Sequence, residues 1–527
     1  MIARRAMNAF RTVLFAASVT LISLSFAQSV PQGGTLTLAW AEPITVLDLA
    51  YGAGFVAYGG AHHLTDPLIR LSADGSPEPW LVREWEVSSD HMEYTLHLRD
   101  DVDFHDGEHF DAAALVANFG RTLDVPESMQ YTLWNNTIES VEATGEYTVV
   151  IKLKVLDADF LYTTLAHWQI RPMSPADIPS RSPQTVTERY AGTGPFMFES
   201  FTPDSSLVLV RNENYWGGAP NIERLVFRFL PELSVHTVEM LARNVDVSLS
   251  IALDDQPLLA RQGVEFVRVP WAVVNMLTMN VSKGHTAELA VRQAIIAAVD
   301  RVEIIETVLG GIPQLSRAGI PEGTVLYSDD VPANEFDPER ARAILDEAGW
   351  LLGSDGVRYR DGQPLRLHFL NPTGGHARNA EIVQEQLRQV GIDTDMDISE
   401  GGTYGPRWRE GDYELSMTAQ GGSHWGAFLG GSVHPDDFWT VNQIRNSTDP
   451  ELIAVADQLR TLTDGVRASV DLDERRELWT QAQRLFHEHA LIYWLWHGPS
   501  TLAVQPWVKG YDFHSQTLFL HDAYIDR

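Results

Sequence analysis

Residues 99–112 read RDDVDFHDGEHFDA, and two readings compete for them. As chemistry, His105 and His109 stand four apart among Asp103, Asp106, Glu108 and Asp111, donor types that a zinc or nickel site uses. As structure, the same letters are a strand end, a turn and a helix start. EYTLHLR (93–99) alternates as a strand, Asp106-Gly107 supplies the turn, and Asp111 stands as N-cap before AAALVANF. Phe110, just before the cap, is placed to staple onto Leu115. The structural reading accounts for the stretch without a metal, and His109 is expected at the surface.

The rest of the chain speaks the same grammar. TLTLAWA (35–41), YTVVIKLK (147–154), SLVLVR (206–211), RLVFRFL (224–230), LRLHFL (365–370) and LIYWLW (491–496) read as strands. Asp300-x-x-Glu303 forms a capping box for a helix that stops at Gly310-Gly311. DPERARAILDEAGW has Asp337 as N-cap, Pro338 in the first turn and Gly349 just past the end. Alternating strands and capped helices over 527 residues predict mixed α/β lobes, roughly three domains in all. Val269-Pro270-Trp271 and His497-Gly498-Pro499 read as crossings between lobes.

Composition narrows the class. Residues 1–27 carry Arg4, Arg5 and Arg11, then an apolar run from Val13, then Ser25-Phe26-Ala27, the pattern of a cleavable export signal. There is no cysteine, which excludes disulfides, thiolate metal sites, a cysteine nucleophile and the lipid anchor of an exported lipoprotein. The formal charge is −32, with only four lysines. Such a surface repels nucleic acid and anionic lipid. A soluble periplasmic protein fits these facts.

Several stretches together resemble the family 5 extracytoplasmic solute-binding proteins of ABC importers, the group of dipeptide, oligopeptide and nickel-chelate binders. They are DPLIRLSADGSPEPWLVREWEVSSD (66–90), YTLHLRDDVDFHDGEHFDA (94–112), GTGPFMFESF (192–201), SSLVLVRNENYWGGAPNIERLVFRFLPE (205–232), ELAVRQAIIAAVDRVEIIETVLGG (288–311), FDPERARAILDEAGW (336–350) and LRQVGIDTDMD (387–397). The resemblance implies a two-lobed α/β periplasmic-binding-protein fold with a hinge and an extra subdomain in the N-terminal lobe. On that plan lobe I is 28–62, 193–270 and 498–527, the insert is 63–192, and lobe II is 271–497. It also implies a monomer that catches a small solute and hands it to an inner-membrane ABC permease, with no catalytic residue, cofactor or resident metal. Phe-His-Asp-Gly is shared across that family whatever its members bind, which removes His105 from the candidate ligands.

The resemblance also points at the cleft. Peptide binders of the family carry Trp-x-x-Asp, whose acid pairs with the peptide amine. Here Trp425-Gly426-Ala427 is followed by Phe428, leaving Asp436 or Asp437 as possible substitutes. A buried ammonium without a counter-ion costs several kcal/mol, so a peptide is the second choice of ligand. Trp-Gly-Ala is what the nickel-chelate binder has at that point, and Arg171 in IRPMSP matches its carboxylate-holding arginine. Either a ligand carboxylate or an intramolecular ion pair would suit Arg171. Tyr131 matches an aromatic lining that chelate, but no histidine follows HPDDFWTVNQIRNST where a direct ligand would stand; His424 is the nearest. A carboxylate-bearing organic ligand or a chelate therefore fits better than a bare metal ion. Trp40, Tyr51, Trp134, Trp271 and Tyr404 join Tyr131 and Trp425 as aromatics for the cleft wall, with core packing as their alternative. A metal-dependent hydrolase around His105 or His424 is the alternative from another class. No Gly-x-Ser-x-Gly elbow supports an enzyme, and His487-Glu488-His489 lacks the His-Glu-x-x-His spacing.

Overall fold

The computed structural model describes residues 30–41, 47, 60–72, 76–124, 131–166, 170–178, 189–268, 273–317, 319, 320, 322, 326–373, 375–421, 433–436, 443–498, 501–514 and 517–527. Tyr51, Trp271, His424, Trp425, Asp437 and the leader lie outside them.

Three sheets organise the chain. The first has seven strands, with Thr35–Trp40 at its centre, parallel to Arg224–Phe229 on one side and Val247–Ser248 on the other. Ser206–Arg211 and Phe196–Thr202 extend it beyond Arg224–Phe229, and Thr501–Val504 and Glu265–Arg268 extend it beyond Val247–Ser248. The second has six strands in the order Gln314–Leu315, Ile492–Gly498, Val273–Met279, Leu415–Gly421, Arg366–Pro372, Asp393–Ser399. The third is a four-stranded antiparallel sheet, Val82–Val87, Glu93–Leu98, Thr148–Leu153 and Ile138–Gly145. The chain leaves the first sheet after Arg268, builds the second from Val273 to Gly498, and re-enters the first at Thr501. A two-lobed α/β architecture follows from that exchange of strands.

Alternation explains which faces are buried. In Thr35–Trp40 the side chains of Leu36, Leu38 and Trp40 share one face and enter the first-lobe core beside Phe227, Leu209 and Val504. In Glu93–Leu98, Tyr94, Leu96 and Leu98 do the same for the insert, whose core is closed by the helix Ala112–Leu123. That helix starts as the sequence predicts: Asp111 accepts from the Ala114 amide at 2.8 Å, and Phe110 and Leu115 are both fully buried. Asp300 likewise accepts from the Val302 and Glu303 amides, and Asp337 from that of Arg340. Gly349 and Gly391 close their helices at φ 82° and 89°, a region where only glycine is unstrained.

Candidate functional site

Two of the quoted stretches meet in space, and their meeting braces the segment that carries Asp66, a residue of a cavity wall. The His105 amide donates to the Gly192 carbonyl at 2.8 Å, and the Gly192 amide donates back to His105 Nδ1 at 3.2 Å. The Nε2–H of His105 then reaches the Gly194 carbonyl at 2.9 Å. Both ring nitrogens are used and burial pushes the imidazole pKa down, so His105 is a neutral tie between the insert and the Gly192-Thr193-Gly194 strap. The strap lies so close to residues 63–65 that a Cβ on Gly194 would stand 2.5 Å from the Leu64 carbonyl carbon. One on Gly192 would overlap the Leu64 carbonyl oxygen. Only glycine allows that approach. Thr193 Oγ1 accepts from the Asp66 amide at 3.2 Å and anchors the neighbouring chain. His109, by contrast, is exposed and bonds to Asp103 and Tyr147.

The cavity beside this strap is lined by His62, Asp66, Arg70, Trp80, Arg171 and Phe519, among others. Asp66 organises one side. Its Oδ1 accepts from Trp80 Nε1 at 2.7 Å and from the Tyr215 hydroxyl at 2.8 Å, and its Oδ2 from Trp216 Nε1 at 3.1 Å. Burial raises its pKa against these donors. The indoles so held meet edge to face at 5.1 Å, with Arg70 stacked over Trp80 and Arg99 over Trp216. Phe519, from the C-terminal hairpin Asp512–His514 and Thr517–Phe519, completes that wall against Trp80.

Arg171 faces this arrangement from the other side. It is 4% exposed. Nη1 donates to the Thr65 carbonyl at 2.7 Å and Nη2 to His62 Nδ1. Nε has no partner, and among the described residues no carboxylate lies within ion-pair distance of the guanidinium. Asp66 acts on it only through space, and burial pushes its pKa down to about 10, so it stays charged at neutral pH. Among the described residues the ion-pair alternative for Arg171 finds no carboxylate partner. Arg70 is different: its Nε is held by Glu78 at 2.8 Å.

The aromatics expected in the cleft divide. Trp40 is 2% exposed in the first-lobe core, and Trp134 is fully buried in the insert, with its ring 6.4 Å from that of Phe119. Neither has a face left for a solute, because strand alternation and helix packing turn both inward. Tyr131 opens the helix Tyr131–Thr137, and Tyr404 bonds to Ser416 Oγ at 3.0 Å while packing on the second-lobe core; neither lines the Arg171 cavity. Tyr51, Trp271, His424 and Trp425 fall outside the described residues. Asp436, a possible acid for a peptide amine, is gripped by Arg460 at 2.5 and 2.8 Å. Asp66, Arg70, Trp80 and Phe519 were not singled out by sequence reasoning. Asp66 and Trp80 stand within the family-like stretch 66–90, the one signal that pointed towards them.

This fold and this strap belong to one class. Residues 76–429 match the model of the bacterial extracellular solute-binding proteins, family 5, middle region, and the chain belongs to that family. It is a solute-binding protein of an ABC transporter, in a family that binds rather than transforms its cargo. The nickel-binding periplasmic protein of Escherichia coli is 30% identical over 359 residues, covering 66% of this chain and 68% of that protein. The dipeptide-binding protein of the same organism is 27% identical, covering 82% and 83%. The crystal structure of NikA from Brucella suis in complex with Fe(III)-EDTA superposes with a TM-score of 0.81 at 26% identity, covering 93% of this chain and 100% of that one. Among the described residues no helix is long and apolar enough to cross a membrane.

Proposed function

We propose that this chain is a monomeric periplasmic receptor that captures a small carboxylate-bearing solute or metal chelate and delivers it to an inner-membrane ABC permease. Residues 1–27 direct export and are removed. Lobe I (28–62, 193–270, 498–527), with its insert (63–192), and lobe II (271–497) close on the solute by a hinge motion. One observation carries the choice of ligand: a buried, charged guanidinium whose Nε is unused and which, among the described residues, has no carboxylate at ion-pair distance. A buried charge is tolerated only when something pairs with it, and a ligand carboxylate is the group whose geometry suits a guanidinium. The relatives' cargoes, nickel and dipeptides, and the Fe(III)-EDTA of the superposed structure frame the options. The engagement of Asp436 by Arg460 and the Phe428 that replaces the amine-binding acid weigh for a carboxylate or chelate over a free peptide.

The test begins with mass spectrometry of the solute retained by the natively exported protein, followed by calorimetry with that compound. Arg171→Ala weakens its binding at least tenfold, about 1.4 kcal/mol, and leaves the solute-free protein folded. An unaltered dissociation constant overturns the role of Arg171. Thermal-shift screening of free peptides, amine-blocked peptides and metal chelates separates the ligand classes.

A further inference from the structure

The helices, strands and apolar cores of the first lobe and insert are distinct from those of the second lobe. Among the described residues two groups of polar contacts bridge them. One is peripheral: Arg378, on the helix Gly375–Gln389, meets Asp254 of the first lobe at 3.0 Å, and both side chains are more than half exposed. The other is buried. The insert segment Asp157-Ala158-Asp159, just after the strand Thr148–Leu153, docks on two second-lobe helices, Pro450–Ala468 and Leu472–Glu488. Arg467 Nη2 reaches Asp157 Oδ2 at 3.0 Å, and Arg475 Nη2 reaches Asp159 Oδ2 at 2.5 Å. Between the two pairs the Ala158 amide donates to the Arg467 carbonyl at 2.8 Å. That carbonyl is in the last turn of its helix, where no intrahelical donor remains.

Both carboxylates are almost fully buried, at 2% side-chain exposure. They stand two residues apart, and the Asp159 amide bonds to Asp157 Oδ1 at 3.0 Å, which keeps the two acids together. Two adjacent buried carboxylates need two cations, and the insert does not supply them; the second lobe does. The same segment runs straight towards the solute site. From Asp159 the chain makes a π-helical turn, Leu161–Leu165, whose first bonds are the Tyr162 and Thr163 amides to the Asp159 carbonyl at 2.8 Å. Ala166, at its end, lines the cavity, and Arg171 follows five residues later.

We propose that Asp157 and Asp159, held by Arg467 and Arg475, form a closure latch between insert and second lobe, and that the turn 161–166 carries its state to the Arg171 cavity. The latch rests on the two-lobed solute-binding reading. It makes the second lobe a positioning element for a ligand arginine that belongs wholly to the insert. When the lobes separate, the ion pairs and the Ala158 bond break together and the turn loses the anchor at its start. When they close, the cavity is seated at the same moment.

The absence of cysteine makes a distance measurement simple. Ser89→Cys on the insert and Glu347→Cys on the second lobe, both exposed, carry a donor and acceptor dye on the full chain. Single-molecule energy transfer reports the solute-free distance distribution, and amide hydrogen exchange reports protection at Ala158, Tyr162 and Thr163. Arg475→Gln is expected to shift the distribution to longer distances and to speed exchange at all three amides at least tenfold. Where Arg475→Gln does not fold, the less buried pair serves: Arg467→Gln with Asp157→Asn keeps charge balance and is expected to give the same shift. Distances and exchange rates equal to wild type in the folded variant overturn the latch. Arg171→Ala is measured alongside, with no change expected in solute-free distance. If it leaves binding of the retained solute intact while the latch variants open the molecule, the ligand reading fails and the latch stands. If it weakens binding while the latch variants stay closed, the latch fails and the ligand reading stands.

Discussion

Arg171 in the insert and Arg292 in the second lobe are 4% and 1% exposed, and burial pushes both guanidinium pKa values down to about 10. Among the described residues neither has a carboxylate at ion-pair distance. They differ in their remaining hydrogen bonds. Arg292 spends Nε and Nη2 on the His489 carbonyl and Nη1 on those of Thr286 and Ala287, at 2.7 to 3.1 Å. Backbone dipoles on three sides satisfy it, and it ties the helix Leu289–Ala298 to the end of Leu472–Glu488. Arg171 is left with an unused Nε beside a cavity. A buried arginine therefore signals a site only when its donors are counted: the satisfied one is scaffold, and the incomplete one is waiting for a partner.

That contrast breaks most visibly at Arg292. Arg292→Leu strands three buried carbonyls and is expected to cost about 4 kcal/mol of stability, read from urea melts of the solute-free protein. A loss below about 1 kcal/mol would mean that its bonds count for little, and the contrast with Arg171 would collapse.

His497 gives the next largest effect, through pH. It is 9% exposed, Nε2 pairs with Ser316 Oγ at 2.8 Å, and burial pushes its pKa down to about 4 from 6.5. The unfolded chain takes up a proton near pH 6.5 that the folded chain refuses until about pH 4. Its contribution is thus fully present above pH 6.5 and is lost as pH falls towards 4, about 3 kcal/mol over that window. His497→Asn should flatten the fall in melting temperature across the window, and an unchanged slope would remove His497 as its source.

Gly194→Ala forces a methyl group towards the Leu64 carbonyl carbon and is expected to cost about 2 kcal/mol. Because the strap braces Leu64 and the cavity residue Asp66, it should also weaken solute binding; normal stability in a denaturant melt would show that the strap can yield. The smallest change falls on Arg171. Arg171→Ala removes about 1.4 kcal/mol of binding and costs the solute-free protein less than Arg292→Leu, since it gives up one carbonyl bond, to Thr65, where Arg292 gives up bonds to three carbonyls.

Much of this was legible in the chain itself. Strand alternation, Asp caps and terminal glycines act over a few residues, so 93–98, 112–123, 301–307 and 338–347 were readable from local physics. The structural reading of RDDVDFHDGEHFDA was local too: Asp111 caps, Phe110 packs, and His109 stays outside. Arg171 was reachable through resemblance alone, since nothing in IRPMSP distinguishes a ligand arginine from an ion-paired one. The aromatics were harder. Trp40 sits in a strand whose alternation with Leu36 and Leu38 already favoured the core, whereas Trp134 needed the packing of two helices to show its direction.

The sequence by itself determined the elements, most of their ends and the acidic cysteine-free character, because those depend on short-range sterics, capping and composition. The family was legible through resemblance of whole stretches. Tertiary structure alone decided what each buried polar group meets. His105 finds its partners 87 and 89 residues away, Arg171 finds Thr65 and His62 at separations of 106 and 109, and Asp159 finds Arg475 at 316. Whether a buried charge ends up satisfied, paired or waiting depends on those long-range neighbours. That is why Arg171, beside a cavity, and Arg292, bonded to backbone carbonyls, look alike until the chain is folded.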